Sequence, residues 1–262
     1  MTDETQEDLP GVLACDVGNS AIHVAYVRGE TVTETLHFRM GELAALGKSL
    51  GELWEQIPAP RKVVAASVNS TGLKALEAAA MESLHQSVLV IGREVPLPID
   101  TDLPNPEKIG VDRLCAAVAA FDRLGVSCVV ADFGTAITID CVNAEGVFVG
   151  GAILPGLGMG AASLHAATAQ LPQVELRPPD WVYGKNTEQA IIGGLVFGAR
   201  GALKELVENY ATDLGHWPIV ILTGSDARLV CPEVSESQLA QAIVPDLVIR
   251  GIAAAYYRTL VK

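Results

Sequence analysis

Aromatic side chains are scarce: Phe, Trp and Tyr make up 5% of the 262 residues. A core must therefore be built from Ala, Val, Leu and Ile, and with 50% hydrophobic residues there is ample material for one. Basic residues are also few. Eighteen Lys and Arg face 31 Asp and Glu, a formal charge of −13. Asp3, Glu4, Glu7 and Asp8 crowd the first eight residues and leave −9 for the remainder. A chain so acidic lacks the positive footprint that holds nucleic acid or an anionic membrane. If it handles phosphates, it needs cations and backbone amides to do so. Paired cysteine is missing. Cys15, Cys115, Cys128, Cys141 and Cys231 are odd in number and form no Cys-x-x-Cys, which argues against a disulfide framework and a zinc site and predicts buried thiols. His23, His37, His85, His165 and His216 lack metal-ligand spacing, and no Gly-x-Ser-x-Gly elbow occurs, so metalloenzyme and serine-hydrolase readings find no support. The acidic, polar start MTDETQED is no signal peptide. The one long uncharged run, Gly146 to Leu171, is dense in Gly and carries Pro155, and reads as a buried functional loop rather than a membrane span. A soluble, cytoplasmic protein is expected.

Strands and helices alternate along the chain. VLACDV and IHVAYV read as two strands of a hairpin, and TVTETLHF as a third. GELAALGKSLGELWEQI has helical spacing, RKVVAASV is a buried strand, LKALEAAAMESLHQ a helix and SVLVIG a strand. PLPIDTDLPNPEK, with four prolines, is an irregular loop that delivers Ile109-Gly110-Val111-Asp112-Arg113 to the helix LCAAVAAFDRL. This alternation is the α/β pattern.

The opening pattern then returns. SCVVADFGTAITIDCV repeats VLACDVGNSAIHVAYV, matching Asp16 to Asp132, Gly18 to Gly134, and Asn19-Ser20 to Thr135-Ala136. Two β–(Asp-x-Gly)–β units imply a duplicated fold with a ligand cleft between its halves. We divide the chain into an acidic disordered tail, residues 1–10, a first domain, residues 11–118, and a second, residues 119–262. Glycine in such a turn lets backbone amides approach a phosphate, and Asn19, Ser20 and Thr135 add donors. A carboxylate two residues before each glycine suits a cation that travels with phosphates, since Mg²⁺ prefers oxygen ligands. Asp and Gly are also common turn formers, but two matched turns at core-strand ends favour the functional reading. Asp112, beside Arg113 at a helix start, suits either a dipole-complementing acid or a general base next to an anion-binding Arg.

Two other motifs are decoys. In Gly41 to Ser49 five residues separate the glycines, where a phosphate-binding loop needs four. Gly156 to Ala161 fits Gly-x-Gly-x-x-Ala, but the stretch leading to Glu175 is broken by prolines.

DVGNS, ASV, IGVDR, DFGTAITID, GGAILPG, TAQLP, GKNT and LTGSD occur in that order from Leu13 to the end. Together they resemble type III pantothenate kinase. The resemblance implies the acetate and sugar kinase/Hsc70/actin fold, with two ribonuclease-H-like halves, and transfer of the ATP γ-phosphoryl to pantothenate in coenzyme A synthesis. It implies that Asp16, Val17, Gly18, Asn19, Ser20, Ala21, Ile22 and His23 hold the ATP phosphates, with Asp16 near Mg²⁺ and Thr135 a further ATP contact. By the same resemblance Asp132 ligates a monovalent cation (K⁺ or NH₄⁺) and Asp112 accepts the proton. Gly110, Val111, Asp112, Arg113 and Thr187 would meet pantothenate, and the protein would be a homodimer. Leu103 stands where many members carry Tyr, and Ser225 where a second Gly is usual. The rival readings are a kinase of another small hydroxy acid or sugar, and a non-catalytic accessory transcription regulator of the same fold.

Overall fold

The computed structural model describes residues 9–234 and 239–260, so the acidic tail lies outside the described residues as far as Asp8. In chain order the strands are β1 (Gly11–Val17), β2 (Ala21–Arg28), β3 (Thr31–Val32), β4 (Leu36–Arg39), β5 (Arg61–Ser67), β6 (Val88–Val90), β7 (Asp100–Thr101), β8 (Cys128–Phe133), β9 (Ala136–Val142), β10 (Val147–Pro155), β11 (Ile219–Thr223) and β12 (Ala242–Ile243). The helices are α1 (Leu46–Gln56), α2 (Ser70–Leu84), α3 (Val111–Leu124), α4 (Leu157–Ala167), α5 (Thr187–Leu214), α6 (Ala227–Val230) and α7 (Leu247–Arg258). They form two compact units.

The first unit runs to Asp100 and adds Pro104–Asp122 and the chain from Asp246 onward. Its sheet has the order β3-β2-β1-β5-β6, with β4 also on β2. β1 is antiparallel to β2 and parallel to β5. The apolar run in β1 is buried because both faces are covered. Leu13, Cys15 and Val17 join Leu46, Leu50, Trp54, Leu76 and Ala80 of α1 and α2, and α7 packs on β1, β2 and β5. α2 starts cleanly because the Asn69 side chain accepts from the amides of Thr71 and Gly72, both at 3.0 Å. The expected third strand is split into β3 and β4. Thr33 Oγ1 takes the Tyr26 amide at 3.1 Å, and a side chain in place of a ladder carbonyl ends the pairing there.

The second unit holds Thr101–Leu103 and Arg123–Pro245, with the sheet order β12-β11-β8-β9-β10-β7. β8 is antiparallel to β9 and parallel to β11, which is parallel to β12. Val129, Ala131, Phe133, Ile137, Ile139 and Cys141 pack on Ile192, Val196, Ala199 and Leu203 of the long α5. Leaving out β4 and β7, both sheets place their strands third, second, first, fourth, fifth, so the duplication read from the two Asp-x-Gly hairpins is a duplication of whole sheets.

The expected split at 118/119 falls inside α3, whose residues divide after Asp122. The end of the chain, expected in the second domain, groups with the first unit because the apolar face of α7 covers its sheet. The run Gly146 to Leu171 is strand β10 followed by helix α4 rather than a buried loop, and α4 buries only Leu157 and Ala161. All five cysteines are free and buried. Among the described residues no helix is long and apolar enough to cross a membrane.

Candidate active site

The first unit gathers its functional side chains at the end of β1. The turn after Val17 closes by a bond from the Gly18 amide to the Ala21 carbonyl at 3.0 Å, and the Met40 amide holds Ser20 O at 3.0 Å. Val17 and Ile22 are core residues, so within the expected phosphate turn they offer backbone alone. Gly18 and Ala21 are partly exposed and Asn19 and Ser20 exposed, so the tip of this turn faces solvent. Asp16 sits one residue before Val17 with its side chain 15% exposed, and its Oδ2 lies 3.6 Å from His23 Nδ1. His23 is held below the ordinary imidazole range, first by burial and then by His37, with Asp246 acting in the opposite sense.

Asp112 opens α3. Its Oδ1 accepts the Arg113 amide at 2.8 Å and lies where a side chain on Gly110 would have to go. One carboxylate oxygen is thereby fixed by the chain's own backbone. Cys115, one turn further along α3, ties this helix start to β1. Burial pushes its thiol up, and the charges of Asp16 and Asp112 both push it further, so the two carboxylates lie within electrostatic reach of one buried sulfur. Gly110, Val111, Asp112 and Arg113 are all partly buried.

The second unit repeats the arrangement with its own residues. The Gly134 amide bonds to Ala136 O at 3.1 Å, closing a turn one residue shorter than the first. Asp132, partly buried, precedes it, and Thr135 is exposed at its tip. Gly156, at the start of α4, packs on the Gly134 and Thr135 carbonyls, and Gly224 packs on Asp132 Oδ1 and the Phe133 carbonyl. Gly224 has φ +89 and no room for a Cβ, so glycine is required on both counts. The Asp226 amide then donates to Phe133 O at 2.9 Å. Burial raises the Asp226 carboxyl, opposed by a bond from the Ser225 hydroxyl at 3.4 Å. Thr187 is exposed at the first position of α5, whose start is capped by Asn186 accepting the Gln189 amide at 2.8 Å.

Cys115, Asp246 and the packing of Gly156 and Gly224 on the second turn were not singled out as site features in the sequence. Gly224 and Gly156 had a local signal, in the LTGSD and GGAILPG motifs; Cys115 and Asp246 had none. Among the described residues no three His, Cys, Asp or Glu side chains cluster as a metal cage. The set is instead single carboxylates beside turn amides, which fits a cation that arrives with phosphates, because Mg²⁺ keeps several waters and takes one or two protein carboxylates.

Comparison with known proteins agrees over nearly the whole chain. The profile of the type III pantothenate kinase family matches residues 12–209. A type III pantothenate kinase from Syntrophotalea carbinolica is 33% identical over 257 residues, covering 94% of this chain and 98% of its own. One from Moorella thermoacetica is 32% identical over 259 residues, covering 94% and 99%. Among solved structures, a Baf family transcriptional activator from Campylobacter jejuni superposes with a TM-score of 0.61 at 19% identity, over 95% of this chain and 98% of that one. The ethanolamine utilization protein EutJ from Carboxydothermus hydrogenoformans gives 0.53 at 15% identity, over 94% and 90%. These structural likenesses show the fold, an actin-like ATPase fold of two ribonuclease-H-like halves.

Proposed function

Because the chain belongs to the type III pantothenate kinase family, we propose that its two turns and the start of α3 carry out ATP-dependent phosphorylation of pantothenate, as follows. Asp112 takes the proton from the attacking hydroxyl through the carboxylate oxygen that the Arg113 amide leaves free. Arg113 and the Gly110–Val111 backbone orient the acid, and Thr187 adds a polar contact. The Asn19 and Ser20 amides and side chains meet the phosphates, on a turn that the Gly18 amide closes against Ala21 O, and Thr135 does the same from the second turn. Asp16 would hold Mg²⁺ and Asp132 a monovalent cation, K⁺ or NH₄⁺; when bound, these ions neutralise charge on the phosphates. Catalysis is then mostly positioning and electrostatic preorganisation. The reading includes a homodimer acting in the cytoplasm.

The observation that supports it most is that Asp16, near the end of β1, and Asp112, at the start of α3, lie in one unit and both act electrostatically on the buried Cys115, in a unit whose first turn has an exposed tip. A phosphate-side carboxylate and a proton acceptor are what phosphoryl transfer to an alcohol requires.

The test is ADP release by the purified protein with ATP and Mg²⁺, with and without pantothenate, in K⁺ and in Na⁺ buffer. Turnover that needs both pantothenate and K⁺ is expected. Turnover with another hydroxy acid or sugar alone would overturn the substrate, and equal rates in both salts would remove the cation from Asp132. Asp112→Asn is expected to lower kcat by about 10²–10⁴-fold, the usual worth of a general base, while ATP binding measured by calorimetry is retained. Near-normal turnover in that variant would remove Asp112 as the base.

A further inference from the structure

Three titratable side chains form one row across the first sheet. Asp16 of β1 pairs with His23 of β2, and His23 pairs with His37 of β4. Residues opposite one another on paired strands share a face, so the row is set by register. His23 stands in the middle. Its Nδ1 is turned to Asp16 Oδ2 at 3.6 Å, and its ring meets the His37 ring edge-on, with centroids 4.6 Å apart and planes at 72°. Asp246, which leads into α7 with φ +58 and does not cap its own helix by its side chain, is the further acidic neighbour of the imidazole.

We propose that His23 is a positioning residue, whose Nδ1–H holds the Asp16 carboxylate in the orientation that meets the cation accompanying ATP. The inference rests on the reading of Asp16 given above and assigns His23 a different task from that of contacting phosphate. Three observations carry it. The imidazole nitrogen faces the carboxylate rather than the open turn, and a separation of 3.6 Å closes to a hydrogen bond with a small movement when the site fills. His37 fixes the plane of the ring, so the nitrogen has a defined direction. The second unit also repeats the arrangement. Its turn is one residue shorter, so the position across from Asp132 is Thr138, and a hydroxyl stands there as the imidazole does in the first unit. In both copies the side chain directly across from the aspartate carries a hydrogen-bond donor. An outer partner that orients a ligating carboxylate typically contributes about 10–100-fold to metal affinity.

The experiment measures ATP binding by calorimetry, with and without Mg²⁺, in the wild type and in His23→Phe, His23→Asn and Asp16→Asn. Phe keeps the ring against His37 and removes the donor; Asn returns a donor to the place of Nδ1. We expect His23→Phe to weaken binding in Mg²⁺ by about 10-fold, to leave metal-free ATP binding and the KM for pantothenate unchanged, and His23→Asn to restore the wild-type value. Wild-type binding in the Phe variant overturns the inference. So does equal impairment of Phe and Asn, or an equal loss with and without metal. If Phe does not fold, His23→Gln, whose amide sits at the Nε2 place, is compared with Asn instead; equal binding by the two overturns it. Asp16→Asn separates the inference from the reading beneath it. If that variant keeps the full Mg²⁺ dependence, the reading of Asp16 falls, and this inference with it; if it loses the dependence while the His23 variants keep it, this inference alone falls.

Discussion

Gly224 shows how narrowly single residues define this site. Its φ of +89 is a conformation that side chains resist, and a Cβ there would overlap Asp132 Oδ1 and the Phe133 carbonyl. Gly224→Ala therefore strains the turn and displaces the carboxylate assigned to the monovalent cation. The expected outcome is a loss of about 1–3 kcal/mol of stability, read from a denaturant midpoint, together with loss of any advantage of K⁺ over Na⁺ in turnover. An unchanged K⁺ advantage would mean that Asp132 tolerates the displacement. Legibility at this scale followed sequence distance. Asp16 and Asp132 announced themselves because each precedes a glycine within a repeated pattern. Cys115 and Asp246 did not, because a buried thiol and a helix-leading acid acquire meaning only when β1, α3 and α7 are brought together.

Among the elements, α7 carries the clearest lesson. A linear division of the sequence assigns the last helix to the second domain, yet Leu247, Val248, Ile249, Ile252, Ala253 and Ala255 are buried and the helix packs on β1, β2 and β5. Nothing local in LVIRGIAAAYYR says which sheet its apolar face will cover, since either sheet offers Val, Ala and Ile. What fixes the match is close approach: Gly251 lies against the backbone of Cys115, so α7 and α3 meet with no side chain between them. Gly251→Ala must push two backbones apart. It is expected to cost about 1–3 kcal/mol, seen as a lower urea midpoint, and to reduce turnover, because the helix that moves carries Asp112 at its start. A midpoint equal to wild type would show that the helices have slack. The splitting of the third strand belongs to the same class of surprise: TVTETLHF has the composition of a strand, and the break comes from one hydroxyl, that of Thr33, taking a ladder amide.

For the molecule as a whole, the duplicated α/β architecture, the absence of a disulfide framework and the pantothenate kinase family were legible, because they depend on pattern over many residues. The buried thiols make that wholeness measurable. Burial lifts Cys128 to about 12 and Cys141 to about 11, the latter helped by Asp213 and Asp140, and Cys15 and Cys115 are raised as well. An acid whose folded pKa is raised supports the fold fully below its unfolded pKa, near 8.5 for a thiol, and that support is lost as pH climbs towards the folded value. Melting temperature is thus expected to fall between about pH 8.5 and pH 11, and a thiol reagent at pH 8 to label native protein little while titrating all five thiols in urea. Rapid labelling of the native protein would contradict the burial.

The two Asp-Gly turns differ by one residue, four from Gly18 to Ala21 against three from Gly134 to Ala136, while the strands on either side keep step. A hairpin tip takes up a one-residue change without disturbing the ladder beside it, so the two sheets keep one strand order while their turns differ. The consequence falls on what faces each aspartate: the extra residue sets an imidazole across from Asp16, and its absence sets a hydroxyl across from Asp132.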